Sequence, residues 1–148
     1  MKQIIIAALL IAAGAVLAHM HVVAQTYYPV VHVTTPEGLK YTAVFDRTDE
    51  RRACGAKNDR FVAPFKAMCK ECAVVLARCE RALDGLELAL TEGTAIPYHR
   101  IYAPGLRVAI SGPADMAKLG CDTIARGLTA QGMRSVACVY PTSPAKAM

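Results

Sequence analysis

The sequence predicts an α+β two-layer sandwich cross-linked by disulfides. Three observations carry that expectation: two hairpin-like runs with glycine in their turns, an apolar stripe at helical spacing from Phe61 to Leu90, and six cysteines behind an export-type leader.

The leader comes first. Met1-Lys2-Gln3 is a short basic start, and Ile4 to Ala18 is uncharged and apolar, the pattern of a secretory signal. Small-residue cleavage patterns end at Ala18 and at Ala24, and the second sits just ahead of the first strand-like run, so residues 1–24 are expected to be removed. The alternative is a retained anchor from Ile4 to Ala24, close to the roughly 20 apolar residues a membrane span needs, with His19 and His21 at the headgroup level. Without residues 1–24 the chain keeps 16 Lys and Arg (17 less Lys2) against 12 Asp and Glu. Those charges alternate in sign, as in Asp46-Arg47-Thr48-Asp49-Glu50-Arg51-Arg52, which suits solvated surfaces and argues against a nucleic-acid footprint.

Residues 25–140 read as one domain and residues 141–148 as a flexible tail. Tyr27 to Thr34 and Leu39 to Phe45 are β-branched and aromatic-rich around Thr35-Pro36-Glu37-Gly38, a hairpin in which glycine supplies the positive φ of the turn. Asp46 to Cys54 suits a short helical turn. Phe61, Phe65, Met68, Cys72, Val75/Leu76, Cys79, Leu83, Leu86 and Leu90 then recur in steps of three and four, which predicts one long amphipathic helix starting near residue 63, because Pro64 is tolerated only in a first turn, and closing at Glu92-Gly93. A second hairpin, Tyr98 to Tyr102 and Leu106 to Ser111, turns at Pro104-Gly105. Gly112-Pro113-Ala114-Asp115 starts a helix that buries Ala117, Cys121, Ile124 and Leu128 and stops at Gly132, before a last strand from Ser135 to Tyr140. With the first strand set aside, the order is βαββαβ, the ferredoxin-like arrangement with an extra N-terminal strand. The order also suggests an internal repeat: His32, Gly38-Leu39-Lys40 and Cys54 recur 67 residues later as His99, Gly105-Leu106-Arg107 and Cys121.

Cys54, Cys69, Cys72, Cys79, Cys121 and Cys138 in an exported chain read as three disulfides. On an unbroken helix rising 1.5 Å per residue, Cys79 lies more than about 10 Å from Cys69 and Cys72, beyond the roughly 7 Å limit for a bridge. Cys69 and Cys72 are near enough to bond but project about 60° apart around the axis, so a bond there would be strained; without it each cysteine of the long helix reaches outward, with Cys54–Cys69 preferred and Cys72 and Cys79 sharing Cys121 and Cys138. A Cys121–Cys138 bond would instead force Cys54–Cys79 and Cys69–Cys72.

Functional motifs are sparse. Cys69-Lys70-Glu71-Cys72 has the spacing of thiol oxidoreductases, although such a pair normally opens a helix after a strand. Zinc held by Cys54, Cys69, Cys72 and Cys79 has suitable ligand types but the wrong helical spacing. His32 and His99 could face each other across hairpins, and Ser111-Gly112-Pro113 at a helix start could cradle an anion. No Ser/His/Asp order, paired-carboxylate spacing or glycine-rich phosphate loop stands out, so neither catalytic residues nor a cofactor or metal is expected.

Leu106-Arg107-Val108-Ala109-Ile110-Ser111-Gly112-Pro113 with Gly127-Leu128 and Gly132 resembles the second half of SPOR-type domains, over about thirty residues. The resemblance implies peptidoglycan glycan-strand binding, and the first half departs from the pattern. The expected function is therefore an exported, non-enzymatic binding or accessory protein of the bacterial periplasm or cell envelope, presenting a sheet face or edge to an envelope protein or glycan. A thiol–disulfide protein using Cys69 and Cys72 is the alternative. Membrane contact is expected only through an uncleaved N-terminal segment.

Overall fold

The computed structural model describes residues 25–141, so the expected leader and residues 142–148 of the expected tail lie outside the described residues. The elements in chain order are β1 (Tyr28–Thr34), β2 (Lys40–Phe45), α1 (Arg51–Met68), β3 (Ala73–Glu80), α2 (Gly85–Glu92), β4 (His99–Ala103), β5 (Leu106–Ser111), α3 (Ala114–Ala130) and β6 (Ala137–Val139). The six strands form one antiparallel sheet in the order β3-β1-β2-β5-β4-β6.

Both hairpins and α3 form where the sequence places them. Ala117 and Cys121 are buried on α3, and Ile124 and Leu128 pack against the same core. The single long helix does not form. Its apolar stripe is divided among α1, β3 and α2. α1 starts earlier than expected, runs through Gly55, and carries Pro64 inside it on an exposed position. A proline there removes one intrahelical hydrogen bond but meets no neighbouring element. At Cys69 the backbone turns extended (φ −130°, ψ 90°), and the Cys69–Cys72 bond closes a turn through Lys70-Glu71. Ala73-Val74-Val75-Leu76, with two β-branched residues, then pairs along the free edge of β1 rather than continuing a helix.

The ferredoxin-like order is corrected in the same step. An additional strand, β3, flanks β1, and β6 lies beside β4 rather than beside β2. The sheet is instead built from two ββαβ halves, β1-β2-α1-β3 and β4-β5-α3-β6. They meet at β2 and β5, whose register runs from Lys40↔Ser111 to Phe45↔Leu106. A pseudo-twofold axis through the pair Thr42↔Ala109 carries one half onto the other. β2 and β5 correspond with a shift of 67, as in Lys40 and Arg107. β1 and β4 correspond with a shift of 68, because Thr34↔Lys40 closes the first hairpin while Tyr102↔Arg107 is the matching pair in the second. The two histidines are therefore not counterparts: Val31 matches His99, and His32 matches Arg100.

Strand alternation sends one set of side chains to each face. Val31, Val33, Tyr41, Ala43, Ile101, Leu106, Val108 and Ile110 form the main core under α1 and α3. α1 contributes Phe61 and Phe65, which stack at 6.1 Å, with Phe61 edge-on to Phe45 at 5.4 Å. On the opposite face Val30, Val44 and Ala109 are covered by Leu90 of α2, with Leu83, Leu86 and Ile96 around them. The architecture thus has a third, partial layer. The Gly112 backbone, at φ 137°, explains the Ser111-Gly112-Pro113 motif: a side chain there would meet the Gly38 carbonyl at 3.1 Å and Leu39 at 3.0 Å, so glycine lets the start of α3 pass against the first hairpin.

Three disulfides form: Cys54–Cys79, Cys69–Cys72 and Cys121–Cys138, with Cα separations of 6.0, 5.4 and 5.7 Å. The preferred Cys54–Cys69 bond is corrected, as is the sharing of Cys121 and Cys138 by Cys72 and Cys79. With residues 69–80 folded as a turn and a strand, Cys79 sits on β3 beside α1, where Cys54 reaches it. Each half ties its helix to its outermost strand, Cys54 of α1 to β3 and Cys121 of α3 to β6. The bonds span separations of 25, 3 and 17 residues. Loop entropy alone makes removal of Cys54–Cys79 cost about 3.5 kcal/mol, Cys121–Cys138 about 3 and Cys69–Cys72 less than about 2. Urea unfolding of the three paired Cys→Ala variants checks this order, and equal losses would contradict it.

Candidate functional site

The sheet face that carries α2 is the least covered part of the described structure. Directly opposed residues of neighbouring strands share a face, so this face presents Leu76, Arg78 and Glu80 from β3. From β1 come Tyr28, Val30 and His32, and from β2 come Lys40, Thr42 and Val44. Arg107, Ala109 and Ser111 follow from β5, Arg100 and Tyr102 from β4, and Ala137 and Val139 from β6. α2 lies over β1, β2 and β5. The part over β4 and β6 has no helix above it.

The covered half is organised around one carboxylate. Glu87 of α2 is 5% exposed, with Oε1 lying 2.8 Å from His32 Nε2 and 3.5 Å from Arg78 Nη2. Its Oε2 has no hydrogen-bond partner. The group is buried with two cationic or cation-capable side chains against it, the arrangement that makes a buried acid tolerable. Leu90, fully buried one turn later, and the left-handed Gly93 that ends the helix (φ 73°) complete the docking of α2.

Arg100 of β4 lies outside that cover, and Arg107 of β5 lies at its border. Arg100 lies over the Tyr102 ring at 5.7 Å, and its Nη1 donates to the Thr94 carbonyl at 3.1 Å and to Tyr102 Oη at 3.3 Å. Its Nε is buried and unpartnered. Arg107, opposite Tyr102, donates to Asp46 Oδ1 at 2.8 Å. Beside this pair a shallow cavity of about 460 Å³ is lined by Tyr28, Phe45, Asp46, Arg47, Thr91 and Arg107. Arg47 is exposed and forms no ion pair among the described residues. Arg107 and Arg47 thus share one cavity with one carboxylate, Asp46, and Arg100 with the Tyr102 ring lies on the far side of Arg107. The surface suits an acidic group, held by charge-assisted hydrogen bonds beside an aromatic ring.

The candidates drawn from the sequence fall elsewhere. His32 and His99 lie on opposite faces, since His99 opposes Ile110 on the main-core side and meets the Tyr140 ring edge-on at 5.5 Å. Cys54 and Cys79 form one disulfide and Cys69 and Cys72 another, which divides the four ligands of the considered zinc site. Cys69 and Cys72 sit at the C-terminal end of α1, where the dipole opposes a thiolate, and Cys72 is buried against the core. Sequence reasoning missed Arg100, Tyr102 and Arg107. Their signal was the polar alternation within Arg100-Ile101-Tyr102 and Leu106-Arg107-Val108.

No protein-family model, curated protein or solved structure matches the chain. No helix among the described residues is long and apolar enough to cross a membrane. The three disulfides point to an oxidising or extracellular compartment.

Two predictions follow from local geometry. Leu90→Ala is expected to cost about 3 kcal/mol, as for other fully buried leucines, and to loosen α2, which hydrogen exchange of residues 85–92 detects. At the other end of the chain Tyr140 Oη donates to Asp122 Oδ1 at 2.5 Å. That hydrogen bond first, then desolvation and the Asp122 charge, raises the phenol's pKa above its ordinary value. The protonated form is the one favoured in the folded chain, so this contribution is present at neutral pH and is lost as pH rises through the raised value. Ultraviolet titration of phenolate should show one tyrosine moving down in Asp122→Asn, and no change would refute the contact.

Proposed function

We propose that the chain is an exported binding or accessory protein of the bacterial periplasm or cell envelope, and that it binds an acidic partner on the open half of its sheet face. One observation carries this reading: α2 covers only part of the face, Arg100 lies against the Tyr102 ring beyond it, and at its border Arg107 and Arg47 line a shallow cavity with Asp46 as its one carboxylate. The disulfides and the leader-like start of the sequence support the compartment. A rigid, twice-tied sheet supports a role in presenting a surface, because each outer strand is held covalently to a helix.

A second reading, a thiol–disulfide protein, draws on the Cys69–Cys72 bond. Its position at a helix C-terminus weighs against it, since reduced Cys69 would gain no stabilisation as a thiolate there. A measured reduction potential for this pair near those of cellular dithiol carriers would favour it over the binding reading.

The test of the binding reading uses poly-L-glutamate as the acidic probe. The oxidised protein should bind it with an affinity that falls as salt rises, and Arg47→Glu with Arg107→Glu should weaken binding by about tenfold or more. Absence of binding, or binding indifferent to both substitutions, overturns the reading. Sedimentation with purified cell-wall sacculi that survives high salt and both substitutions would favour a glycan strand as the ligand instead.

A further inference from the structure

Gln25 stands directly after the cleavage pattern Val22-Val23-Ala24, so removal of residues 1–24 turns its nitrogen into the α-amine of the mature chain. Its side chain is held at the other end. Gln25 Oε1 accepts a hydrogen bond from Tyr27 Oη at 2.8 Å and another from Arg81 Nη2 at 3.3 Å. Both donors are themselves fixed. Tyr27 is 8% exposed, its backbone exchanges hydrogen bonds with Thr48 at 2.7 and 2.8 Å, and the Arg81 guanidinium lies over its ring at 5.8 Å. Among the described residues the Tyr27 hydroxyl and the Arg81 guanidinium form no other hydrogen bond and no ion pair.

An N-terminal glutamine carries both a nucleophile and an electrophile. Attack of the α-amine on the side-chain amide carbon closes a five-membered lactam within one residue, which gives the reaction a high effective concentration. Its barrier is the negative charge that develops on the amide oxygen as the carbon becomes tetrahedral, and donors already aimed at that oxygen lower it. Here the oxygen is Gln25 Oε1, and the donors are Tyr27 and Arg81. The Arg81 charge also disfavours a second positive charge close by, which keeps more of the α-amine in its nucleophilic, neutral form. Gln25 is exposed, so the leaving group escapes to solvent.

We infer that Gln25 is a modification site: once freed, its α-amine closes on its own Cδ to give an N-terminal 5-oxoproline, with Tyr27 and Arg81 stabilising the oxyanion. The bond from the α-nitrogen to Cδ forms and the bond from Cδ to the amide nitrogen breaks. That nitrogen leaves as ammonia, taking a proton given up by the α-amine, and no oxidant or other reactant is consumed. The product keeps the lactam oxygen as acceptor for both donors, removes a positive charge from beside Arg81, and leaves no free amine for an aminopeptidase. The inference rests on the reading of residues 1–24 as a leader cleaved after Ala24, and it is independent of the binding face.

The full-length chain, exported by a bacterial host and isolated oxidised, should have the intact mass of residues 25–148 less one ammonia and should resist stepwise N-terminal sequencing. The rate is read in vitro from a chain with a specific protease site directly before Gln25, by following its mass after cleavage with no cyclising enzyme present. Ring closure in the folded protein should be at least about tenfold faster than in the same chain reduced and unfolded in guanidinium chloride. Tyr27→Phe and Arg81→Gln should each move the folded rate toward the unfolded one. Both leave the Tyr27 ring position filled, so the fold is retained. Lys118→Glu, on α3, should leave the rate unchanged. A mature chain that begins at another residue, or that keeps residues 1–24, overturns the inference together with the leader reading. A chain that begins at Gln25 and keeps its amine, equal rates in folded and unfolded protein, or variants that close as fast as the natural chain overturn the inference and leave the leader reading standing.

Discussion

Everything in this fold depends on the pairing of β2 with β5. Among the described residues it is the only strand pairing that joins the two ββαβ halves, and the pair Thr42↔Ala109 lies at its centre. Without it each half would be a three-stranded sheet with one helix, a size at which the apolar surface available for burial is small. With it, Tyr41, Ala43, Val108 and Ile110 from the two halves share one core beneath α1 and α3. The same pairing places Lys40 and Arg107 on one face at equivalent distances from the axis.

Among the described residues α2 has no counterpart in the second half. It is the connection between halves, and it covers the axis itself, where Val44 and Ala109 meet Leu90. Its acids sit on one side only, above His32 and Arg78. The asymmetry of the protein surface thus follows from where a single linker happens to fold back. His32 and Arg78 meet Glu87 under α2, while Arg100 of β4 has no carboxylate partner among the described residues.

The readable parts of the sequence were those whose pattern is local. Both hairpins carried strand alternation and a glycine turn, and α3 carried a helix start, a helical stripe and a glycine stop. The middle of the chain misled because steps of three and four from Phe61 to Leu90 are compatible with three different elements. Phe61 and Phe65 do lie on a helix, and Leu86 and Leu90 do as well, but Val74 to Cys79 alternate on a strand. The clue was Val74-Val75 after a cysteine pair able to close a turn. The false helix also made Cys69–Cys72 a strained bond, whereas a turn through Lys70-Glu71 closes it, and it directed Cys54 to Cys69 rather than Cys79. The open face was not legible for a different reason. Arg100, Tyr102 and Arg107 become neighbours only through the register of β4 and β5, and register is not written in either strand alone.

The cysteines of this protein are segregated along the chain. Cys54, Cys69, Cys72 and Cys79 pair among themselves within the first half, and Cys121 and Cys138 pair within the second. A polypeptide threaded through a membrane N-terminus first would release the first four thiols as a closed set before Cys121 emerged. Its oxidation could be completed in two instalments, each finished by residues already on the far side. In a chain delivered that way, cross-pairing between halves would be limited by the timing of delivery as well as by the folded geometry.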